Sequence, residues 1–170
     1  MKFNYGDTLR IRNELYTILG KIRYIDTHWR IWYKYKLVKH KNNAEFWISW
    51  NEKHDVYQFT KLCGKEIPSD MNVVHRSYQM AIGTRGDIDI AAVSRYEEYE
   101  DDNGTHTFTI EKGAHTTEYS KGVYIEKKYV SLEKNVELTK PILDKMDTIQ
   151  KMRFIGPIIW FLANLLNNKR

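Results

Sequence analysis

The chain has 170 residues, enough for one domain of ordinary size whose core needs no covalent staples. Apolar residues make up 42%, with 12 Tyr and 5 Trp against only 9 Gly and 3 Pro. This composition excludes collagen-like and low-complexity classes and favours strands. The single cysteine, Cys63, excludes an intramolecular disulfide, suits a reducing compartment, and is expected to be a buried, unreactive thiol.

The net charge of +5 is unevenly placed. Residues 1–62 carry twelve Lys/Arg against six Asp/Glu, residues 63–138 nine against fourteen, and residues 139–170 six against two. A basic half, an acidic half and a basic tail can complement one another or steer an anionic partner to one side. The N-terminus lacks the apolar run of a signal peptide, and neither end carries a lipidation motif. A cytoplasmic protein is expected, with peripheral attachment at the inner face of the membrane as one version.

In chain order, Gly6-Asp7 opens a short alternating run, Thr8 to Arg12, and Asn13-Glu14 reads as a hairpin turn. A strand follows from Leu15 to about Tyr24. Trp29 to His40 alternates best: Trp29, Ile31, Tyr33, Tyr35 and Leu37 share one parity, Arg30, Lys34 and Lys36 the other. That pattern predicts a half-buried strand with a packed aromatic face and a basic face in water. Phe46 to Trp50 and Val56 to Leu62 read as strands, and Cys63 to Asp70 as a linker. Met71 to Ile82, Asp87 to Tyr99, Thr105 to Lys112 and Glu118 to Tyr129 supply the later strands, with a hairpin turn at Asp101-Asp102-Asn103-Gly104. From Leu138 the period becomes helical, with Thr139 as N-cap and Pro141 in the first turn.

The two β halves align at a shift of 62 residues: Tyr16 on Tyr78, Phe46 on Phe108, Ile48 on Ile110 and Tyr57 on Tyr119, each pair sharing strand parity. The expected fold is therefore mainly β and antiparallel, a β-sandwich or a barrel. It spans residues 1–138 with two similar halves, about 1–62 and 71–132, and is followed by a C-terminal α-helix over 139–170.

No reaction motif stands out. The histidines lack zinc-ligand spacing, and no nucleophile elbow, Walker A or Rossmann fingerprint occurs. The run Glu97, Glu98, Glu100, Asp101, Asp102 reads as solvated charge leading into a turn, and Glu111 as a rim or paired carboxylate. Gly83-Thr84-Arg85-Gly86-Asp87 contains an integrin-type tripeptide but reads as a glycine-bounded strand crossing. The basic aromatic strand offers a possible anion-binding face of Arg30, Trp32, Lys34 and Lys36, the residue types with which small barrels grip single-stranded nucleic acid. Residues 154–166 carry no charge, too short a run to span a bilayer, with Lys151 and Arg153 before it and Lys169 and Arg170 after. Phe154, Ile155, Ile158, Ile159, Trp160, Phe161, Leu162, Leu165 and Leu166 could dock on the β domain, lie at a membrane surface, or dock on a partner or second copy.

The order of several motifs resembles the bacterial family called domain of unknown function 4178. These are Gly6-Asp7 before the first hairpin, Trp32-x-x-Tyr35-x-Leu37 followed by Phe46-Trp47-Ile48, and Tyr78 before Gly83. Tyr96-x-x-Tyr99 and Thr107-Phe108-Thr109-Ile110-Glu111 before Glu118-Tyr119-Ser120-x-Gly122 follow. The resemblance covers about residues 5–130 and departs at Lys34 and Lys36, where a more acidic version is expected. It implies a β-rich cytoplasmic domain without established enzymatic activity, similar to accessory proteins of membrane systems, and transfers no catalytic residue. The expected function is a non-enzymatic binding or scaffold domain that uses no cofactor, its helix attaching to a protein partner, a second copy or a membrane surface. The alternative is a single-stranded nucleic-acid-binding β module using strand 29–41.

Overall fold

A computed structural model describes residues 3–51, 55–88 and 93–148. Its strands are β1 (Thr8–Ile11), β2 (Glu14–Asp26), β3 (Ile31–Lys39), β4 (Glu45–Asn51), β5 (Val56–Leu62), β6 (Met71–Gly86), β7 (Val93–Asp101), β8 (His106–Lys112), β9 (Thr117–Glu126) and β10 (Val130–Glu133). One 3-10 turn, Lys127–Tyr129, joins β9 to β10, and residues 140–148 are helical (α1). The expected attachment residues 154–166 lie outside the described residues.

Every pairing is antiparallel. The order β2-β3-β4-β5-β9-β8-β7-β6 closes on itself because β6 also pairs with β2. The fold is thus an eight-stranded closed barrel of two four-stranded meanders, with the seam to β2 made by the second half of β6, Gln79–Gly86. One long strand makes both the closure and an annex. Glu14–Thr17 of β2 pair with β1, while Gly20–Asp26 pair with β6 along the same edge. The other edge of β1 takes β10, which was not expected as a strand.

A bulge between Ile18 and Gly20 sets which side chains enter the barrel. One extra residue in β2 exchanges the faces of everything beyond it. Tyr16 and Ile18 therefore face outward, and Gly20, Ile22 and Tyr24 inward. The inward face is identified by bonds between strands that are not neighbours, such as Lys34 on β3 to Glu111 on β8, which stand on opposite walls.

The main apolar core lies outside this barrel. Tyr35, Leu37, Ile48, Tyr57 and Ile125 on the outer wall of β3, β4, β5 and β9 are covered by Phe3, Leu9, Ile11 and Val130. The Phe3 N–H donates to the Tyr35 hydroxyl at 3.2 Å, and burial pushes that phenol up to about 12. Tyr16 closes edge-on against Phe46 and Phe59, at 5.6 and 5.5 Å between ring centroids. Each such ring removes 150–250 Å² from water, about 1.5–3 kcal/mol apiece. A second cluster, Tyr99, Phe108 and Ile110, is packed by Met71, Tyr119 and the half-buried free Cys63, whose thiol burial pushes up.

The helix shuts one end of the barrel. Ile142, fully buried, packs on Leu19 and Val38 beside Tyr5 and Met146. Lys145 reaches Glu45 at 2.9 Å, and Lys36 bridges Glu45 and Asp87 at 3.1 and 2.6 Å. Ile88 enters at the same end to join Ile22, Tyr24 and Trp47.

The alternation of β3 predicted the strand and its packed aromatic face but misplaced its basic face. Lys34 and Lys36 were expected in water; they point into the barrel, and Lys34 is only 8% exposed. On the aromatic face Tyr35 and Leu37 are buried under β1, β10 and the N-terminal segment, as expected, while Trp29 and Ile31 at its start are 83% and 48% exposed.

Candidate ligand cup at the open end of the barrel

The end opposite α1 holds a cavity of about 410 Å³. The β2–β3 turn, the last residues of β4, the first half of β6 and the second half of β7 surround it. An eight-stranded barrel is just wide enough to be filled by side chains or to hold one small ligand. This one does both, filled below and open above.

The floor is a polar network whose members come from non-adjacent strands. Lys34 Nζ is ion-paired to Glu111, with both side chains about nine-tenths buried. It also lies 4.9 Å from the Trp47 ring centre. Glu111 Oε2 accepts from Gln79 at 3.3 Å and from the Tyr24 hydroxyl at 3.4 Å. Gln79 also donates to Ser94 at 3.2 Å. Inward polar groups are tolerated in a barrel only if satisfied in this way.

Above that layer, β7 presents Tyr96, Glu98 and Glu100 on its inward parity. Gln58 donates to Glu98 at 2.8 Å, and Ser49 donates to Gln58 at 3.4 Å. The Tyr124 hydroxyl is shared between Glu98, at 2.9 Å, and Glu100, at 2.6 Å. Burial, then the charge of Glu98, drives the phenols of Tyr96 and Tyr124 well above their ordinary range. Burial, then Glu111, does the same to Tyr24. These three hydroxyls stay protonated at neutral pH and are available as donors to the carboxylates.

At the rim, Asp26 organises the β2–β3 turn. Its carboxylate accepts from the backbone N–H groups of His28, at 2.8 Å, and Arg30, at 3.0 Å, and pairs with the Arg30 guanidinium at 2.7 Å. Burial alone would raise this carboxyl; the bonds from Arg30 and His28 outweigh it and hold the group below its ordinary range. Trp32 forms part of the wall, stacked on Tyr24 at 4.6 Å and 24° and adjoining Tyr96 at 6.3 Å.

The four residues of the possible anion-binding face are therefore separated by depth. Arg30 sits at the rim, Trp32 in the wall, Lys34 in the sealed interior and Lys36 at the far end. Each of the three cations faces a carboxylate of this chain. They form no exposed strip along which a phosphate backbone could run. The acidic run also divides differently from expectation. Glu97 and Glu98 are buried, at 5% and 8% exposure, and Asp101 accepts the Thr105 and His106 N–H groups in the hairpin turn. Glu98 and Glu100 were missed as site residues. The available signal was their shared parity with Tyr96, in register with polar Thr107, Thr109 and Glu111 across the hairpin. Glu111, read as rim or paired, is paired.

Among the described residues, no group of three His, Cys, Asp or Glu converges as a metal site requires. No helix among them is long and apolar enough to cross a membrane. No family model, no curated protein and no solved structure matches this chain.

Proposed function

We propose that this protein is a non-enzymatic binding barrel whose open end receives a small ligand. One observation carries the reading: the barrel is sealed by α1 and Ile88 at one end and open to a cavity of about 410 Å³ at the other. Small-molecule sites commonly have volumes of 300–1,000 Å³ and favour the mouths of β-barrels, with apolar walls and a few fixed polar groups. Here the walls include Trp32 and Tyr96, and the fixed groups are Glu98, Gln58 and Gln79, each oriented by a bond to another side chain. That rigidity lowers the entropic cost of binding.

The same reading treats the two meanders as copies that have diverged around one cup. β3 begins at 31 and β7 at 93, the 62-residue offset seen in the sequence. Phe46 and Phe108, and Ile48 and Ile110, occupy outward positions of β4 and β8. Divergence is concentrated inside: Lys34 corresponds to Tyr96, and Ser49 to Glu111. Separately expressed segments 1–66 and 67–170 are expected to assemble into the barrel when mixed. Failure of both to assemble, with each soluble, would count against two matched units.

A ligand-observed NMR screen of small fragments tests the cup itself. Ser77 lines the cavity from β6, and Ser77→Trp fills much of it. Fragments that bind the natural protein are expected to lose binding at least tenfold in the folded Ser77→Trp variant. Equal binding to both would place the ligand elsewhere.

A further inference from the structure

We infer that the outer wall of β2, β6 and β7 is a docking surface for an anionic phospholipid bilayer, a site separate from the cup. Residues paired across neighbouring strands share a face, and successive pairs alternate between faces. Gln79 and Ser94 form an inward pair, bonded to each other and, through Gln79, to Glu111. The next pair, Met80 and Val93, therefore points outward. Met80 also pairs with Ile25, and Ile25 with Ile31. The result is an unbroken apolar row, Ile31–Ile25–Met80–Val93, across four strands. Val93 and Met80 are 53% and 46% exposed, and Tyr78, the neighbouring outward residue of β6, is 58% exposed. By contrast, the outward cluster of β3, β4, β5 and β9 lies under Phe3, β1 and β10, and that of β7 and β8 under Met71 and Cys63. A contiguous apolar row left bare marks an interaction surface.

The charged neighbours of this row decide what covers it. On one side Tyr78 pairs with Arg95 and Arg95 with Lys112, and beyond them Arg76 pairs with Glu97. On the other side Arg23 pairs with Gly83, and Arg85 with Lys21. Arg23, Arg76, Arg85, Arg95 and Lys112 are all exposed. Among the described residues of these rows the carboxylate is that of Glu97, which is buried and paired with Arg95 at 2.7 Å. Burial would raise this carboxyl; the Tyr99 hydroxyl and the charges of Lys112, Arg95 and Arg76 outweigh it and hold the group below its ordinary range. One anion is thus shared by three cations. Arg23 and Arg85 make no ion pair among the described residues. An apolar row bordered by cations on both sides complements an anionic bilayer: the aliphatic side chains enter the boundary of headgroups and acyl chains while the arginines take the phosphates. A second copy would set these cations against one another. Single-stranded nucleic acid calls for stacking rings, and the row is aliphatic with Tyr78 alone beside it.

Vesicle co-sedimentation of the full chain tests this, on phosphatidylcholine alone and on phosphatidylcholine mixed with phosphatidylserine. Binding to the anionic vesicles is expected to be at least tenfold tighter and to weaken as salt is raised. Each basic residue beside an anionic surface strengthens binding about fivefold. Arg23→Gln/Arg85→Gln is therefore expected to weaken binding at least tenfold, and Met80→Ser/Val93→Ser at least threefold, with the natural fold retained by circular dichroism. If one variant fails to fold, the other and the salt dependence of the natural protein decide. Equal binding to both kinds of vesicle, binding to neither, or binding indifferent to salt would overturn the inference. So would undiminished binding by the folded variants, which would place attachment elsewhere on the chain. A labelled oligothymidylate that binds the natural protein and Met80→Ser/Val93→Ser alike but not the arginine variant, with no binding to vesicles, would replace the bilayer by single-stranded nucleic acid. The cup is tested apart from this, by Ser77→Trp.

Discussion

Lys34→Met is expected to lower the free energy of unfolding by about 3–5 kcal/mol, the usual penalty for removing one partner of a buried ion pair. The Lys34 and Glu111 side chains are 11% and 10% exposed, and they join opposite walls of the barrel. Without the ammonium, the Glu111 carboxylate keeps only the long bonds from Tyr24 and Gln79, in an interior where water cannot replace the lost charge. Lys34→Met/Glu111→Gln should cost clearly less than the sum of the single variants, by at least about 1.5 kcal/mol, because it removes both charges while leaving an acceptor for the two donors. Urea denaturation of the four proteins checks this. A Lys34→Met cost below about 1 kcal/mol would mean that the pair is solvated and the barrel interior is not sealed at that level.

Gly86→Ala is expected to destabilise by about 2–4 kcal/mol, through two independent causes. The residue sits at φ +88°, where an L side chain is strained, and its added Cβ would lie 2.1 Å from the Leu19 carbonyl oxygen and 2.9 Å from the Gly20 Cα. Gly86 pairs with Gly20 where β6 meets β2, so the strain falls on the seam that closes the barrel. Hydrogen exchange should localise the effect. Amides of β2 and β6 beyond the seam are expected to lose protection before those of β4 and β5. Uniform loss of protection, or a cost under 1 kcal/mol, would show that this seam does not hold the barrel shut.

The strands were legible because period-two alternation is strong in Trp29 to His40 and Thr105 to Lys112, and because turn residues punctuate them. The closed ring was harder to see. Its closing strand, β2, changes faces at a single extra residue, Leu19, marked locally only by the neighbouring Gly20. The site was hidden by a reasonable physical assumption, that the apolar face of a strand points to the core and the polar face to water. In this barrel the apolar face of β3 meets a second layer made by Phe3, β1 and β10, distant in sequence. Its polar face meets carboxylates and amides contributed by β5, β6, β7 and β8. Bonds between distant strands, such as that of Lys34 with Glu111, 77 positions away, reveal which side is inside. Glu98 and Glu100 looked like turn-flanking charge because their partners, Gln58 and Tyr124, lie 40 and 24–26 positions off.

The central claim is that the open end of the barrel is a ligand site, and the tryptophans report on it directly. Trp32 lines the cavity and Trp50 its rim, whereas Trp29, 83% exposed, lies outside the lining. Indole N–H resonances of protein labelled with ¹⁵N-tryptophan, followed during titration with fragments from the screen, separate these positions. Binding is predicted to move the Trp32 and Trp50 signals and leave Trp29 in place, and in Ser77→Trp all three of these signals are predicted to stay in place. Fragments that shift Trp29 while Trp32 stays still, or a screen that yields no binder, would contradict the account.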